Sequence, residues 1–143
     1  MLEISELKPE HYSQILEVWK DAGLPFKPSG RDSFEEIVKQ MKRAPELFIG
    51  VFIDSELVGV CLGTEDGRKG WINRIAVKKK FQRQGIASKL ISEMEKRLRA
   101  RGLKIICVLI EDWNTASLNL FQKNGYILHK DIYYLSKRES EDV

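Results

Sequence analysis

Trp71 to Arg101 reads W-I-N-R-I-A-V-K-K-K-F-Q-R-Q-G-I-A-S-K-L-I-S-E-M-E-K-R-L-R-A-R. Its first seven residues, Trp71 to Val77, are mostly apolar and read as a strand. Further on, Ala87, Leu90, Ile91, Met94 and Leu98 recur at three- and four-residue spacing, which predicts an amphipathic helix. Gly102 stops that helix, and Arg97, Arg99 and Arg101 fall in its last turn, where the negative end of the helix dipole favours cations. Between strand and helix lie three lysines and F-Q-R-Q-G-I-A-S, Phe81 to Ser88. A helix start leaves about four backbone N–H groups without intrahelical partners and carries partial positive charge. Gly85 and Ala87 put almost no side chain in the way of a ligand approaching that backbone, so the join is suited to an anion such as a pyrophosphate. It is neither a Walker loop nor a dinucleotide fingerprint, because G-x-x-x-x-G-K-[ST] and G-x-G-x-x-G are both absent.

Upstream, Leu2 to Leu7 alternates as a strand should, and Pro9 stands at a first-turn position before a helix that presents Tyr12, Ile15, Leu16 and Trp19. Gly23 to Gly30 is turn-rich. Ser33 with Glu36 has the spacing of a capping box, and Phe34, Ile37, Val38 and Met41 share a helix face that ends before Pro45. Leu47 to Ile53 and Leu57 to Thr64 flank Asp54–Glu56, a hairpin signal. Downstream, Ile105 to Ile110 is fully apolar and reads as a buried strand. Thr115 to Asn124 reads as a short helix closed by Gly125, and Tyr126 to Lys130 and Ile132 to Ser136 as two last strands. The order β-α-α-β-β-β-α-β-α-β-β implies a mixed sheet with helices on both faces.

At 143 residues the chain has the size of one domain, 1–143, with a real core. With 43% hydrophobic and 31% charged residues it has the balance of a soluble globular protein. A net charge of +3 is too mild to argue for nucleic acid by itself. No run approaches the ~18 apolar residues of a membrane span, and no signal-peptide pattern opens the sequence. Cys61 and Cys107 sit in separate apolar runs, without the spacing of a metal site, and read as free thiols in a reducing compartment.

Two motifs carry a resemblance. I-A-V followed by Gln82-x-x-Gly85-x-Ala87 resembles the acyl-CoA pyrophosphate loop of the GNAT superfamily of N-acetyltransferases, [QR]-x-x-G-x-[GA]. Ile110 to Tyr126, I-E-D-W-N-T-A-S-L-N-L-F-Q-K-N-G-Y, resembles the family's fifth strand and fourth helix. They stand in the family's order, and the resemblance covers nearly the whole chain. It implies an α/β GNAT fold with a mixed central sheet of about seven strands and helices on both faces. It further implies an N-acetyltransferase that moves an acetyl group from acetyl-CoA to a primary amine of a small molecule or protein; the expected location is cytoplasmic, with a homodimer left open.

The resemblance also assigns residues. The pyrophosphate would lie on Gln82, Arg83, Gln84, Gly85, Ile86, Ala87 and Ser88, and the oxyanion would meet a backbone N–H among Ile75, Ala76 and Val77. The pantetheine arm would run between the fourth and fifth strands past Asn114, which on residue type alone reads equally well as a helix N-cap. Many members place a tyrosine, the acid for the leaving thiolate, where this chain has Phe121, so Phe121 is expected to be only a wall of the channel. Tyr133 and Tyr134 are alternative acids.

The acceptor amine must arrive without its proton, since a lysine-type amine has a pKa near ~10.4. Glu111 ends the fifth strand beside the cleft and is the favoured base; Asp112, Glu65, Asp66, His11 and His129 are the others. Leu109 occupies a position where some relatives carry glutamate. Neither cysteine has neighbours that would lower its pKa, so direct attack in a ternary complex is expected rather than an acyl-enzyme. Two other readings stay open. The chain could bind acyl-CoA without turnover, given Phe121. It could be a basic module for nucleic acid, given Lys78 to Lys80 and the helix arginines, although no aromatic residues interleave with those charges.

Overall fold

In the computed structural model, which describes residues 1–143, the central apolar run is strand β4 (Gly70–Val77) and the periodic run after it is helix α3 (Ile86–Ala100). The other elements follow in chain order. They are β1 (Leu2–Glu6), α1 (Tyr12–Asp21), α2 (Phe34–Arg43), β2 (Phe48–Ile53), β3 (Glu56–Glu65), β5 (Ile106–Val108) and α4 (Thr115–Lys123). The sheet order is β1-β2-β3-β4-β5. The first three pairings are antiparallel and β4–β5 is parallel, so the sheet is mixed as expected.

The β2–β3 hairpin closes through Asp54 and Ser55, both at positive φ, as the right-handed twist of a two-residue hairpin requires. Ser33 caps α2 by accepting the Glu36 N–H at 3.2 Å. The expected return bond from Glu36 is replaced by an ion pair with Lys39 at 2.9 Å, so only half of the capping box forms.

The two faces of the sheet carry separate cores. On one face α1 and α2 bring Ile15, Val18, Trp19, Ile37 and Met41 against Phe48, Val60 and Leu62. On the other α3 and α4 bring Ile86, Leu90, Ile91, Met94, Leu98 and Phe121 against Ile49, Val51, Cys61 and Ile72. Burying each Leu or Ile fully is worth about 1.5–3 kcal/mol before entropy is counted. The approach of α3 depends on a missing side chain: a Cβ on Gly63 would stand 2.6 Å from the Met94 sulfur. Arg97 then ties α3 to its surroundings through Glu93 at 2.8 Å and the Glu46 carbonyl at 3.1 Å.

The sheet has five strands, not about seven. Tyr126 to Lys130 and Ile132 to Ser136 are not strands. Alternating apolar residues become a strand only against a partner edge. The edge on offer is β5, three residues long, and residues 127–136 make no main-chain hydrogen bond to it. Ile127, Ile132, Tyr133 and Leu135 consequently stay exposed. The same lack of an outer neighbour corrects the expectation of a buried strand at Ile105 to Ile110. Only Ile106 to Val108 pair, half-buried, and Ile105 and Leu109 lie in solvent.

Candidate active site

Two bulges shape β4 and its neighbour. Val51 faces Gly59 and Phe52 faces Leu57, so Val58 is extra on β3. Leu62 faces Arg74 and Gly63 faces Ile72, so Asn73 is extra on β4. A bulge bends its strand and increases the twist. Pairing of β4 with β5 ends at Ile72–Val108, one residue before that bulge. β5 itself ends at Val108, so past Ile72 that side of β4 has no strand partner, and Ile75, Ala76 and Val77 are paired with β3 on one side only. The bulge at Asn73 lies two residues upstream of Ile75, the first of the three residues expected to offer the oxyanion N–H.

The chain leaves β4 into a 3₁₀ turn at Lys79–Phe81 and then the loop Gln82–Gly85. The loop is held from three directions. The Gln82 side-chain amide donates to the Val77 carbonyl at 2.9 Å, the Lys79 N–H donates to Asp21 at 2.7 Å, and Asn124 of the α4 end reaches the Ser88 hydroxyl at 3.2 Å. Arg83 (φ 62) and Gly85 (φ 81) are both left-handed. Left-handed residues in such turns direct successive N–H groups into one concavity, the geometry of anion-binding nests. No protein acceptor takes the N–H of Arg83, Gln84, Gly85, Ile86, Ala87 or Ser88; the next one, on Lys89, bonds to the Gly85 carbonyl. The seven residues assigned to this loop therefore form one continuous feature at the open end of β4.

Asn114 is the N-cap of α4, its side-chain oxygen accepting the Ser117 N–H at 3.2 Å. The cap uses the carbonyl oxygen and leaves the amide NH2 to donate elsewhere. Phe121 is 2% exposed and packs edge-on against Tyr126, with ring centroids 5.1 Å apart. It belongs to the core on the α3/α4 face and presents almost no open surface of its own.

On the α1/α2 face the sheet, α2 and the turn after β5 enclose a cleft of about 680 Å³, within the range of small-molecule sites. Glu111 borders it together with Glu65, Asn73 and Tyr134. The carboxylates differ in their commitments. Glu65 pairs with Arg101 at 3.1 Å and accepts the Gly67 N–H at 2.6 Å. Asp66 accepts the N–H groups of Lys69 and Arg68 and the Trp71 indole. Those bonds hold it below the usual carboxylate range, a poor property for a base. Glu111 is exposed and makes no side-chain hydrogen bond or ion pair; only its main-chain carbonyl is used, by the Asn114 N–H at 3.0 Å.

The remaining candidates separate in the same way. His11 accepts the Lys8 N–H through Nδ1 at 2.9 Å, and His129 lies outside this cleft, at the β5 edge. Tyr134 borders the cleft, whereas Tyr133 does not. Tyr126 donates to Glu95 at 2.6 Å, and burial first, then that carboxylate, push its pKa up; its proton is committed. Burial pushes the Cys61 thiol up as well, which removes it as a nucleophile. Of the basic residues open to a nucleic-acid reading, Lys78 pairs with Glu56 at 3.2 Å, Arg97 with Glu93 and Arg101 with Glu46 at 2.7 Å, while Lys79 and Lys80 are exposed and make no ion pair.

Sequence reasoning missed two residues of the cleft, Arg74 and Asp32. Asp32 is 3% exposed. One of its oxygens accepts the Lys27 N–H at 2.7 Å and lies 3.8 Å from the Arg74 guanidinium. Arg74 donates to the Pro25 carbonyl and lies 4.3 Å over the Trp19 ring. Tyr12 closes the group by donating to the Asp32 carbonyl at 2.7 Å. Together they fasten the turn-rich Gly23–Asp32 segment to β4 and α1. Burial pushes the Arg74 guanidinium down, and Asp32 pulls it back up. Removing one member of a buried ion pair typically costs about 3–5 kcal/mol. Arg74→Met keeps apolar packing against Trp19 and leaves Asp32 with Arg31, at 4.0 Å, as its one remaining counter-charge. A fall of roughly 3 kcal/mol in unfolding free energy is expected from denaturant titration. An unchanged midpoint would show that the pair contributes nothing.

A strand that runs into a loop and helix start with unpartnered N–H groups, its far side unpaired past Ile72, is the layout that the GNAT resemblance implies. The acetyltransferase (GNAT) family profile matches residues 11–126. An acetyltransferase of Sodalis glossinidius (strain morsitans) is 28% identical over 141 residues, 99% of this chain and 98% of that one. The PaiA N-acetyltransferase of Thermoplasma acidophilum, solved in complex with coenzyme A, superposes with a TM-score of 0.83 at 21% identity, covering 92% of this chain and 93% of that one. The aminoglycoside N-acetyltransferase AAC(6')-Iy, solved with CoA, superposes with a TM-score of 0.77 at 16% identity over 96% and 95%. The chain belongs to the acetyltransferase (GNAT) family; it is an acyl-CoA-dependent N-acetyltransferase, with acetyl-CoA as co-substrate. None of its helices is long and apolar enough to cross a membrane.

Proposed function

We propose that the protein acetylates a primary amine by direct attack in a ternary complex. Acetyl-CoA lies with its pyrophosphate on the N–H groups of Arg83 to Ser88 and its pantetheine arm in the gap between β4 and β5. The observation that carries this reading is the unbroken run of N–H groups without protein acceptors, beside the stretch of β4 that has no strand partner past Ile72. Asn114 offers its NH2 to the arm, and Phe121 backs the channel from the core. The acceptor enters from the cleft on the opposite face of the sheet, where Glu111 stands.

In the reaction the amine nitrogen forms a bond to the acetyl carbonyl carbon and the carbon–sulfur bond breaks. The proton lost by the ammonium passes through water toward Glu111. The oxyanion of the tetrahedral intermediate meets a main-chain N–H of Ile75, Ala76 or Val77 on the open side of β4. The CoA thiolate leaves with the electron pair and takes a proton from water or Tyr134. With a thiol pKa near ~8.5, its departure does not demand a dedicated acid, which fits a phenylalanine at position 121.

Calorimetric titration with CoA, followed by free-thiol release with a mixed amine panel, tests the proposal. Micromolar-range binding and amine-dependent thiol release are expected. Binding without release under any amine would favour a non-catalytic acyl-CoA-binding domain, the reading motivated by Phe121. No binding at all would remove the loop assignment.

A further inference from the structure

The charges around the acceptor cleft are unequally committed. Five guanidinium groups and three carboxylates border it. Arg101 is held by Glu46 and Glu65 at 2.7 and 3.1 Å. Arg74 is held by the Pro25 carbonyl and Asp32, and Arg138 by the Val143 carbonyl at 2.6 Å. What remains is Arg43, with no ion pair or side-chain hydrogen bond, and Arg31, whose only ionic contact is a 4.0 Å approach to the already shared Asp32. On the acidic side only Glu111 is uncommitted.

We infer that the acceptor is a small molecule of the amino-acid or dipeptide class, bearing a carboxylate as well as the amine. This deepens the acetyl-transfer reading and rests on it. The amine sits toward Glu111 and the carboxylate toward Arg31 and Arg43. Guanidinium groups suit a planar carboxylate because their N–H groups match its two oxygens. A polyamine or aminoglycoside presents several cations and no anion. It meets one free carboxylate and an excess of guanidinium charge, so like-charge repulsion opposes it.

The test compares alanyl-glutamate, its diamide and spermidine by thiol release with saturating acetyl-CoA. The first two share an amine and differ only in anionic groups. The kcat/KM for alanyl-glutamate is expected to exceed that for the diamide and for spermidine by about tenfold or more, since charged hydrogen bonds are worth at least that factor. The preference should weaken as salt is raised. The double variant Arg31→Gln/Arg43→Gln should reduce it to within about twofold through KM, with CoA affinity intact. Both side chains are exposed, so the fold is expected to survive. Spermidine or the diamide reacting as fast as alanyl-glutamate would overturn the inference, as would a preference the double variant leaves intact. If no probe reacts, calorimetry on the CoA-saturated protein decides, and absence of alanyl-glutamate binding also overturns it. Failure to bind CoA is a separate result that removes the acetyl-transfer reading itself, and this inference with it.

Discussion

Glu111→Gln is expected to lower the turnover constant by roughly 10²-fold or more while leaving CoA affinity nearly intact, the loss typical of removing a general base. The substitution keeps the size of the side chain and its capacity to accept a hydrogen bond, and removes only the charge and basicity. At neutral pH only about one lysine-type amine in a thousand is uncharged, so a carboxylate that relays the ammonium proton should matter most there. The structure bears on which carboxylate that is. Glu65 is committed to Arg101 and Gly67, and Asp66 to its own turn and Trp71. Glu111 alone borders the cleft with its side chain uncommitted. The Glu111→Gln deficit should shrink as the pH rises toward the amine pKa, because free base becomes abundant without help. If Glu111 serves only to shape the turn that its carbonyl makes with Asn114, the mutant keeps its turnover. A flat ratio of mutant to parent rates from about pH 6.5 to about 9.5 would remove Glu111 from the mechanism and leave Glu65, on the same cleft, as the next carboxylate to test.

The parts of the site that were legible from sequence are those written locally. The loop needs a strand end, a left-handed glycine and a helix start within one short stretch, and Val77 to Ser88 supplies all three. Asn114 opens α4 as its N-cap, whereas Glu111, expected at the end of the fifth strand, lies in the turn three residues past the end of β5. Arg74 and Asp32 were not legible, for the opposite reason. Arg74 sits inside an apolar strand, where a lone charge reads as solvent-facing, and its partner lies in a loop preceding another helix. The interruption by Asn73 and Arg74 was the available signal, since it breaks the apolar run of β4 at the residue that proves to be the bulge. The two C-terminal strands failed on similar grounds. Residues 126–136 have the composition of strands, but composition carries no information on whether β5 offers a long enough edge. Helices satisfy their own backbone and so were read within a few residues of their ends, whereas strands depend on neighbours that only the fold supplies.

Gly85→Val is expected to weaken CoA binding by roughly 10²-fold without unfolding the protein, because two phosphate-directed N–H contacts are worth about that much. Gly85 has φ +81, and a Cβ built there meets nothing within 4 Å. The new Cβ therefore meets no protein atom, and on the proposed placement the added bulk competes with the pyrophosphate for the open space at the loop. A left-handed β-branched residue also costs about 1–2 kcal/mol, which the loop can relieve by turning its N–H groups out of register. Both effects strike the anion site, and neither touches the buried face of α3, where Ile86, Leu90 and Ile91 hold the helix to the sheet. Gly85→Asn separates them. Asparagine tolerates the left-handed region, so it keeps the backbone and adds only bulk. If obstruction dominates, Asn and Val weaken CoA alike. If conformation dominates, Asn retains most of the affinity and Val loses it. An unchanged CoA dissociation constant for Gly85→Val, with an unchanged circular dichroism spectrum, would mean that the pyrophosphate lies elsewhere.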